Sequence, residues 1–291
     1  MQAPRVRWPG GARVAVQFVL NYEEGGERCI LDGDGESEAF LSEIIGAQPF
    51  DRARHMSMES IYEYGARVGV WRILDLFRSR QIPLTVFAVA VAAQKNPAVI
   101  EQALKDGHEI ASHGLRWIDY KDVPAAVEKA HLEEAMDILT GLCGMAPKGW
   151  YTGRTSANTR DIVCAHGGFV YDADDYSDDL PFWSAVTDAP HLIVPYTLDA
   201  NDMRFATAQG FNCGQDFERY LTDAFETLYR EGETAPKMMS IGLHCRLIGR
   251  PGRFEALRRF VDHVLARDSV WICRRIDIAE HWRAHHPVSA S

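Results

Sequence analysis

AVQFVLNYEEGG (15–26) is the stretch of sequence that indicates the fold. Its first half, Ala15 to Leu20, is apolar except for one glutamine and has the length and composition of a buried β-strand. The second half contains an asparagine, a tyrosine, Glu23, Glu24 and two glycines. Charged groups therefore begin where the strand ends, which is where barrels of alternating strands and helices build their active sites.

The same alternation recurs along the rest of the chain. Residues 59–79 place apolar side chains, among them Ile61, Tyr64 and Val68, three or four positions apart, which predicts a helix. Further strands are predicted at 84–91, 108–112, 148–152, 169–171, 192–196, 238–243 and 270–273. Further helices are predicted at 97–106, 124–141, 158–165, 216–230, 253–266 and from about Asp277. About seven strands alternating with helices favour an α/β fold, with a parallel (β/α) barrel preferred to an open sheet.

Length and composition exclude several classes of protein. The chain has 291 residues, of which 46% are hydrophobic and 25% charged, so disorder and collagen-like repeats are excluded. No linker is long enough to divide it, and residues 1–291 are predicted to form one domain. The net charge of −10 argues against a nucleic-acid partner. Because the chain has neither a membrane-length apolar run nor a recognisable signal peptide, a soluble cytoplasmic protein with reduced cysteines is expected.

Several motifs of well-known sites are absent. No GxGxxG follows the first strand and no GxxxxGK[ST] occurs, so neither a dinucleotide site nor a P-loop is predicted. HExxH and GxSxG are also missing, which argues against a two-histidine zinc helix and a serine nucleophile elbow.

Polar residues follow nearly every predicted strand, whereas the strand bodies are almost uncharged. Glu23 and Glu24 follow the first strand, His113 follows the third, and His244 and Arg246 follow the seventh. The other strand-end residues are Thr152, Arg154, Asp172, Asp174, Asp175, Asp199, Asn201 and Asp202. Because a buried charge without a partner is costly, packing alone does not explain this concentration. We therefore predict a catalytic mouth at the carboxyl ends of the strands.

These residue types suit a reaction in which water attacks a carbonyl-type carbon. A carboxylate would deprotonate the water, one histidine would orient or polarise the substrate, and a second would protonate the leaving nitrogen or oxygen. Two alternatives stay open. His113 and His244 could be core histidines with satisfied hydrogen bonds. One of Glu23 and Glu24 could be paired at the surface, since neighbours on a strand point to opposite faces.

The pattern resembles the polysaccharide deacetylase (NodB-like) superfamily over about residues 13–286. The matching motifs are NYEE (21–24), HGLRW (113–117) and LH (243–244). The resemblance implies a single-domain, distorted, incomplete (β/α) barrel. Metal-dependent members bind the ion with the second acid and two histidines of a His-x-x-x-His motif, but the second of these histidines is replaced by Trp117. Glu24 and His113 alone fall short of the three protein ligands usual in a catalytic zinc site, so no metal and no cofactor is expected.

Longer motifs match a narrower branch, the cofactor-independent bacterial allantoinases and the related cyclic imide hydrolases. They are NYEEGGE (21–27), HMSMESIYEYG (55–65), SHGLRWIDY (112–120), GWYTGRTS (149–156), DDLPFW (178–183), PYTLDANDMRF (195–205) and GLHCRLIGRPGR (242–253). Both activities open a small nitrogen ring by hydrolysing an amide bond. The resemblance therefore implies a metal-independent hydrolase of a small cyclic amide, either a ureide such as allantoin or a cyclic imide. It also implies a homo-oligomer, with a tetramer favoured. No membrane partner is expected, since no apolar run has the length of a membrane span.

Roles for individual residues follow from this resemblance. Glu23 would be the general base on water, and Glu24 would organise the site. His113 and His244 would polarise the carbonyl and protonate the departing nitrogen. The predicted substrate-binding residues are Tyr22, Trp117, Trp150, Tyr151, Arg154, Asp174 and Asn201. Within this set, Arg154 and Asn201, or backbone N–H groups, could hold the developing oxyanion. Trp117, Trp150 and Tyr151 would shape a small, flat pocket.

Two other functions remain as alternatives. A metal-dependent N-deacetylase of polysaccharide or peptidoglycan type would bind a divalent ion and lose activity with a chelator. A non-catalytic barrel that serves as a binding or assembly module would keep its function when Glu23 is replaced by glutamine.

Overall fold

The fold is a sheet of mainly parallel strands that alternate with helices along the chain. The computed structural model describes residues 6–185 and 190–288. The strands in this part of the chain are β1 Val14–Tyr22, β2 Thr85–Ala88, β3 Glu109–Ser112, β4 Gly149–Trp150, β5 Tyr171–Asp172, β6 Phe182–Ser184, β7 His191–Ile193, β8 Lys237–His244 and β9 Val270–Ile272. The helices are α1 Met56–Tyr64, α2 Val70–Arg80, α3 Ala90–Lys95, α4 Pro97–Lys105, α5 Ala125–Cys143, α6 Thr159–His166, α7 Gly214–Glu231, α8 Pro251–Leu265 and α9 Arg275–His285.

Strand β1, with nine residues, pairs along both of its edges. One edge pairs with β8 from Val14 to Asn21. The other edge is shared by β9, opposite Val14 to Val16, and β2, opposite Val19 to Tyr22. All nine residues of β1 are buried, as expected of a parallel strand that is covered on both faces. The strand predicted at 15–20 is confirmed and is longer than predicted.

The sheet curls into an incomplete barrel. Its strand order is β6-β7-β5-β4-β3-β2-β1-β8, and every pairing is parallel except that of β6 with β7. A parallel bridge between Asn201 and Gly242 links the segment after β7 to β8, at the seam of the barrel. A side chain at position 242 would collide with the Asn201 amide and the Tyr196 hydroxyl, so glycine is required there. The predicted fold class, a distorted and incomplete (β/α) barrel, is confirmed.

Two predicted elements and one strand that was not predicted show the main differences from the structure. The strand predicted at 84–91 ends at Ala88, because α3 already begins at Ala90. The helix predicted at 59–79 is interrupted by a π-helical turn at Gly65–Gly69. A Cβ atom at Gly65 would collide with Glu24, and one at Gly69 would collide with the backbone of Cys245. Strand β6 was not predicted, since it is a three-residue antiparallel edge strand without a clear apolar run.

Helices α2 and α8 cover the outer face of β1. The ring of Phe18 on β1 lies 5.1 Å from that of Phe77 on α2 and 6.2 Å from that of Phe260 on α8. This packing buries the apolar faces of both helices and leaves the carboxyl end of the sheet uncovered by them. None of the helices in the described ranges is long and apolar enough to cross a membrane.

Candidate active site

A cavity of about 650 Å³ opens at the carboxyl ends of the parallel strands. The predicted site residues that line it come from the ends of β1, β3, β4 and β8 and from the segment after β7. They are Glu23, His113, Trp117, Tyr151, Arg154, Asn201 and His244. The cavity is also lined by Asn21, Phe40, Leu41, Asp119, Lys121, Tyr176 and Tyr196, to which no role was assigned from the sequence.

Glu23 lies between the two histidines. Its Oε1 atom is 3.3 Å from Nε2 of His113 and 3.4 Å from Nε2 of His244. All three side chains are almost completely buried. A carboxylate in contact with two imidazoles at the wall of a cavity is an arrangement for general acid–base chemistry.

Arg246 lies behind Glu23 and gives it a permanent positive neighbour. The Nη1 atom of Arg246 is 2.8 Å from Oε2 of Glu23 and 3.3 Å from Oε1 of Glu24. Burial by itself would raise the pKa of Glu23, but the charges of His244 and Arg246 and the hydrogen bonds from the histidines outweigh it. The pKa of Glu23 is therefore held well below its usual range.

Asp202 holds His244 from the side opposite Glu23. Its Oδ1 atom is 2.6 Å from Nδ1 of His244, and its Oδ2 atom accepts the backbone N–H groups of His244 at 2.8 Å and Ile248 at 3.0 Å. Burial disfavours the charged imidazole, but the carboxylates of Glu23 and Asp202 outweigh burial and raise the pKa of His244 to about 9. His244 is therefore protonated at neutral pH and has a proton to donate.

Glu24 lies next to the site but does not line the cavity. Its carboxylate accepts the backbone N–H of Arg246 at 3.0 Å and the backbone N–H of Glu23 at 3.3 Å. A Cβ atom at Gly65 would lie 2.5 Å from Oε1 of Glu24, so the π-helical turn that begins at Gly65 packs closely against the Glu24 carboxylate. This position agrees with an organising role, and burial raises the pKa of Glu24.

Aromatic rings form one side of the cavity. The ring of Tyr151 is stacked on Phe87 at 4.8 Å and lies 4.9 Å from both His113 and Tyr196. The hydroxyl of Tyr196 accepts a hydrogen bond from Nδ2 of Asn21 at 2.9 Å. These contacts fix His113 against an apolar wall, which suits a flat substrate.

Arg154 lies over a second pair of rings at the cavity. Its guanidinium carbon is 5.0 Å from the ring centroid of Phe40 and 5.2 Å from that of Trp117. Among the residues that the structure describes, no carboxylate pairs with it. The guanidinium lies at the cavity with these two rings as its neighbours.

Three predicted substrate-binding residues lie outside the cavity. Tyr22 packs into the core beside the helices, because odd-numbered residues of β1 face the barrel interior and even-numbered ones face the helices. Trp150 points away from the cavity for the same reason and donates to Thr152 Oγ1 at 2.8 Å. Asp174 lies behind the loop after β4 and accepts the N–H groups of Thr152 and Gly153 at 2.8 and 2.7 Å. Their positions do not support direct contact with a substrate.

The residues of the site do not fit a divalent metal ion. Trp117 offers an indole where a ligand would be needed, and Glu24 is engaged by Arg246. A second cation next to the guanidinium would be repelled, since the guanidinium already pairs with both carboxylates. Within the described ranges, no group of three or more His, Cys, Asp or Glu side chains is arranged to hold a metal ion.

Asp202 and Arg246 are the functional residues that sequence reasoning missed. Both were recognised as polar residues after strands, but nothing in their spacing indicates their partners. Asp202 contacts a histidine 42 positions away, and Arg246 contacts an acid 222 positions away. The bridge at the seam brings Asp202 to His244, and the pairing of β1 with β8 brings Arg246 to the glutamates.

The chain resembles known proteins along nearly all of its length. A family model described as polysaccharide deacetylase matches residues 54–167. A protein of Schizosaccharomyces pombe that is named as a polysaccharide deacetylase is 45% identical over 302 residues, which cover 97% of this chain and 94% of that protein.

Two solved structures are similar in both sequence and fold. One is described as a probable polysaccharide deacetylase from Pseudomonas aeruginosa PAO1; it is 62% identical with a TM-score of 0.96, and the match covers 98% of this chain and 96% of that one. The other is PuuE allantoinase, 60% identical with a TM-score of 0.97, over 99% of this chain and 96% of that one. The resemblance predicted from the motifs is confirmed. The chain therefore belongs to the polysaccharide deacetylase family, in the allantoinase-like branch, and is a hydrolase of the type that acts on carbon–nitrogen bonds.

Proposed function

We propose that the protein opens the ring of a small cyclic amide, either a ureide such as allantoin or a cyclic imide, without a bound metal ion. The proposal rests mainly on the position of Glu23, which lies between His113 and His244 at the wall of the cavity and pairs with Arg246. The similarity to PuuE allantoinase supports this substrate class.

Glu23 and His244 are in the protonation states that such a reaction needs. The low pKa of Glu23 keeps it ionised, and a pKa of about 9 keeps His244 protonated in neutral solution. Two groups whose environments separate their pKa values in this way are suited to act as base and acid.

The reaction follows from the positions of these groups. A water molecule bound to Oε1 of Glu23 loses a proton to it while its oxygen bonds to the substrate carbonyl carbon. The carbon–nitrogen bond then breaks, and the nitrogen takes a proton from His244. Because Oε1 of Glu23 and Nε2 of His244 are 3.4 Å apart, the proton on Glu23 can return to His244 directly. The products are a carboxyl group and an amide or urea N–H on one open chain.

The negative charge that develops on the carbonyl oxygen during this reaction must be stabilised by hydrogen-bond donors. His113 polarises the carbonyl from the cavity wall, and Arg154 and Asn201, which line the same cavity, are the further donors that we assign to the oxyanion. In other acyl transfers, one such donor contributes about 3 kcal/mol to stabilisation of the transition state. Trp117 and Tyr151 shape the cavity around the ring.

A substrate panel tests the proposal. Allantoin, hydantoin, dihydrouracil, succinimide, glutarimide and maleimide are incubated with the protein, with and without a chelator, and the ring-opened products are measured. We expect ring opening of at least one compound. If none is opened, and acetate is released from N-acetylglucosamine oligomers only when a divalent metal is added, the deacetylase alternative is correct. If neither reaction occurs, the non-catalytic alternative is favoured.

A further inference from the structure

Glu23 and Glu24 are adjacent, buried carboxylates, and one guanidinium lies against both. Nη1 of Arg246 is 2.8 Å from Oε2 of Glu23 and 3.3 Å from Oε1 of Glu24. Arg246 has no exposed surface. Two neighbouring carboxylates that are removed from water repel each other, so ionisation of either one depends on a positive partner.

The rest of Arg246 is fixed by further contacts. Its Nε donates to the carbonyl oxygen of Leu41 at 3.0 Å. Its guanidinium carbon lies 4.3 Å from the ring centroid of Tyr62 and 5.0 Å from that of Trp117. Leu41 and Trp117 line the cavity. Arg246 therefore lies directly behind the cavity wall, where it contacts the catalytic carboxylate and not the substrate.

We propose that Arg246 is a positioning residue of the reaction. It holds Oε2 of Glu23 from behind, so that Oε1 is presented to the cavity between His113 and His244. It also supplies the positive charge that the two carboxylates require. Divalent cations often bind where carboxylates cluster. Here the guanidinium of Arg246 takes the place of such a cation. The proposal deepens the proposed function and rests on it for the identity of the reaction.

The permanence of the charge distinguishes Arg246 from the other groups around Glu23. The titratable groups that face Glu23 or its immediate partners are Tyr22, Glu24, Glu27, Tyr62, His113, Asp202, His244 and Cys245. An imidazole carries a charge only while it is protonated, and carboxyl, phenol and thiol groups are either neutral or negative. Arginine stays protonated at every pH at which the protein is folded. It can therefore keep Glu23 ionised before water is deprotonated, and it favours the return of the proton from Glu23 to His244.

The test compares Arg246→Met with Arg246→Lys in the full-length protein and measures kcat/KM for ring opening against pH. Arg246→Met removes the charge, and we expect a loss of at least about 100-fold at pH 7. We also expect the acid limb of the profile to move up by about 1–3 pH units, the usual effect of one close charge. Arg246→Lys keeps the charge, so its acid limb should stay at the wild-type position. A folded Arg246→Met variant with an unshifted acid limb would overturn the proposal.

Arg275→Met is the matched control, because Arg275 is also fully buried but donates to Gln17 and Ser240. This variant should lower the melting temperature without moving the acid limb. If Arg246→Met does not fold, the lysine variant decides the question: an unchanged acid limb supports the proposal and a raised one contradicts it.

A measurement without substrate separates this proposal from the proposed function. Carbon-13 NMR of the glutamate carboxyl carbons gives the pKa of Glu23 directly, with the signal assigned by its loss in Glu23→Gln. A higher pKa of Glu23 in Arg246→Met supports the positioning role even if no cyclic amide in the panel is opened. An unchanged pKa overturns the role even if the panel succeeds.

Discussion

Nδ1 of His244 lies 2.6 Å from Oδ1 of Asp202, and both side chains are buried. His244 ends β8, and Asp202 begins a short 3₁₀ turn on the other side of the barrel seam. The bridge between Asn201 and Gly242 brings the two segments together. The closure of the barrel therefore places the carboxylate that helps to raise the pKa of this imidazole.

Asp202→Asn should move the alkaline limb of activity downward. His244 must be protonated to donate to the leaving nitrogen, and its pKa of about 9 depends in part on the Asp202 carboxylate. Without that charge the pKa of His244 should fall by about 1–3 pH units, so activity is lost at a lower pH. The measurement is kcat/KM against pH. Asp199→Asn is the control, since Asp199 pairs with Thr197 and Tyr220 and not with His244. An alkaline limb in the same position for Asp202→Asn and wild type would contradict the assignment of His244 as the acid.

Glu23→Gln should reduce kcat by at least about 100-fold, the effect expected for loss of a general base. Steady-state kinetics and a thermal melt of the same sample separate catalysis from folding. Glu109→Gln is a matched control, because Glu109 is also a buried carboxylate but bonds to Thr85, Tyr171 and the backbone of Ile276. If Glu23→Gln keeps full activity, the base is another group or the barrel acts without catalysis.

Arg154→Met should lower kcat, and with it kcat/KM, by about 100–1000-fold, the range for loss of one oxyanion donor. The rings of Phe40 and Trp117 hold the guanidinium, so methionine can keep the packing while the N–H donors are lost. Arg219→Met, on the exposed face of α7, is the control. Equal kcat/KM values for Arg154→Met and wild type would show that this guanidinium does not contact the reacting molecule.

Asp174→Asn should change how stability depends on pH. Burial and the neighbouring Asp172 raise the pKa of Asp174 from 3.8 to about 7, so the folded protein binds this proton more tightly than the unfolded chain. Stability should therefore fall as pH rises from about 4 to 7 in the wild type. The asparagine variant should lack this component. Denaturant unfolding at pH 5 and pH 8 measures this pH-dependent part of the free energy of unfolding, with Asp161→Asn on α6 as the control. Equal pH dependence of stability in Asp174→Asn and wild type would contradict the shifted pKa.

The fold could be predicted because its strands are short apolar runs with charges at their carboxyl ends. This pattern located Glu23, His113 and His244, which the structure brings together around one cavity. It did not show which face of a strand lines that cavity, because both faces of a parallel strand are apolar. Tyr22 and Trp150 were therefore included, although they lie on the helix side.

Contacts between distant segments could not be predicted from spacing. The pairs of Asp202 with His244 and of Arg246 with the two glutamates depend on the register of β1 with β8 and on the bridge at the seam. The assignments to the cytoplasm, to a homo-oligomer and to a domain of residues 1–291 stay predictions.

The most direct test of a metal-free Glu23–His244 mechanism is the ring-opening rate of protein freed of metal. The protein is treated exhaustively with a chelator, its residual metal content is measured, and kcat/KM is determined on the best substrate of the panel. The arrangement of Arg246, Glu23 and the two histidines predicts an unchanged kcat/KM at a metal content far below one ion per chain. A loss of activity that returns on addition of a stoichiometric divalent ion would contradict it.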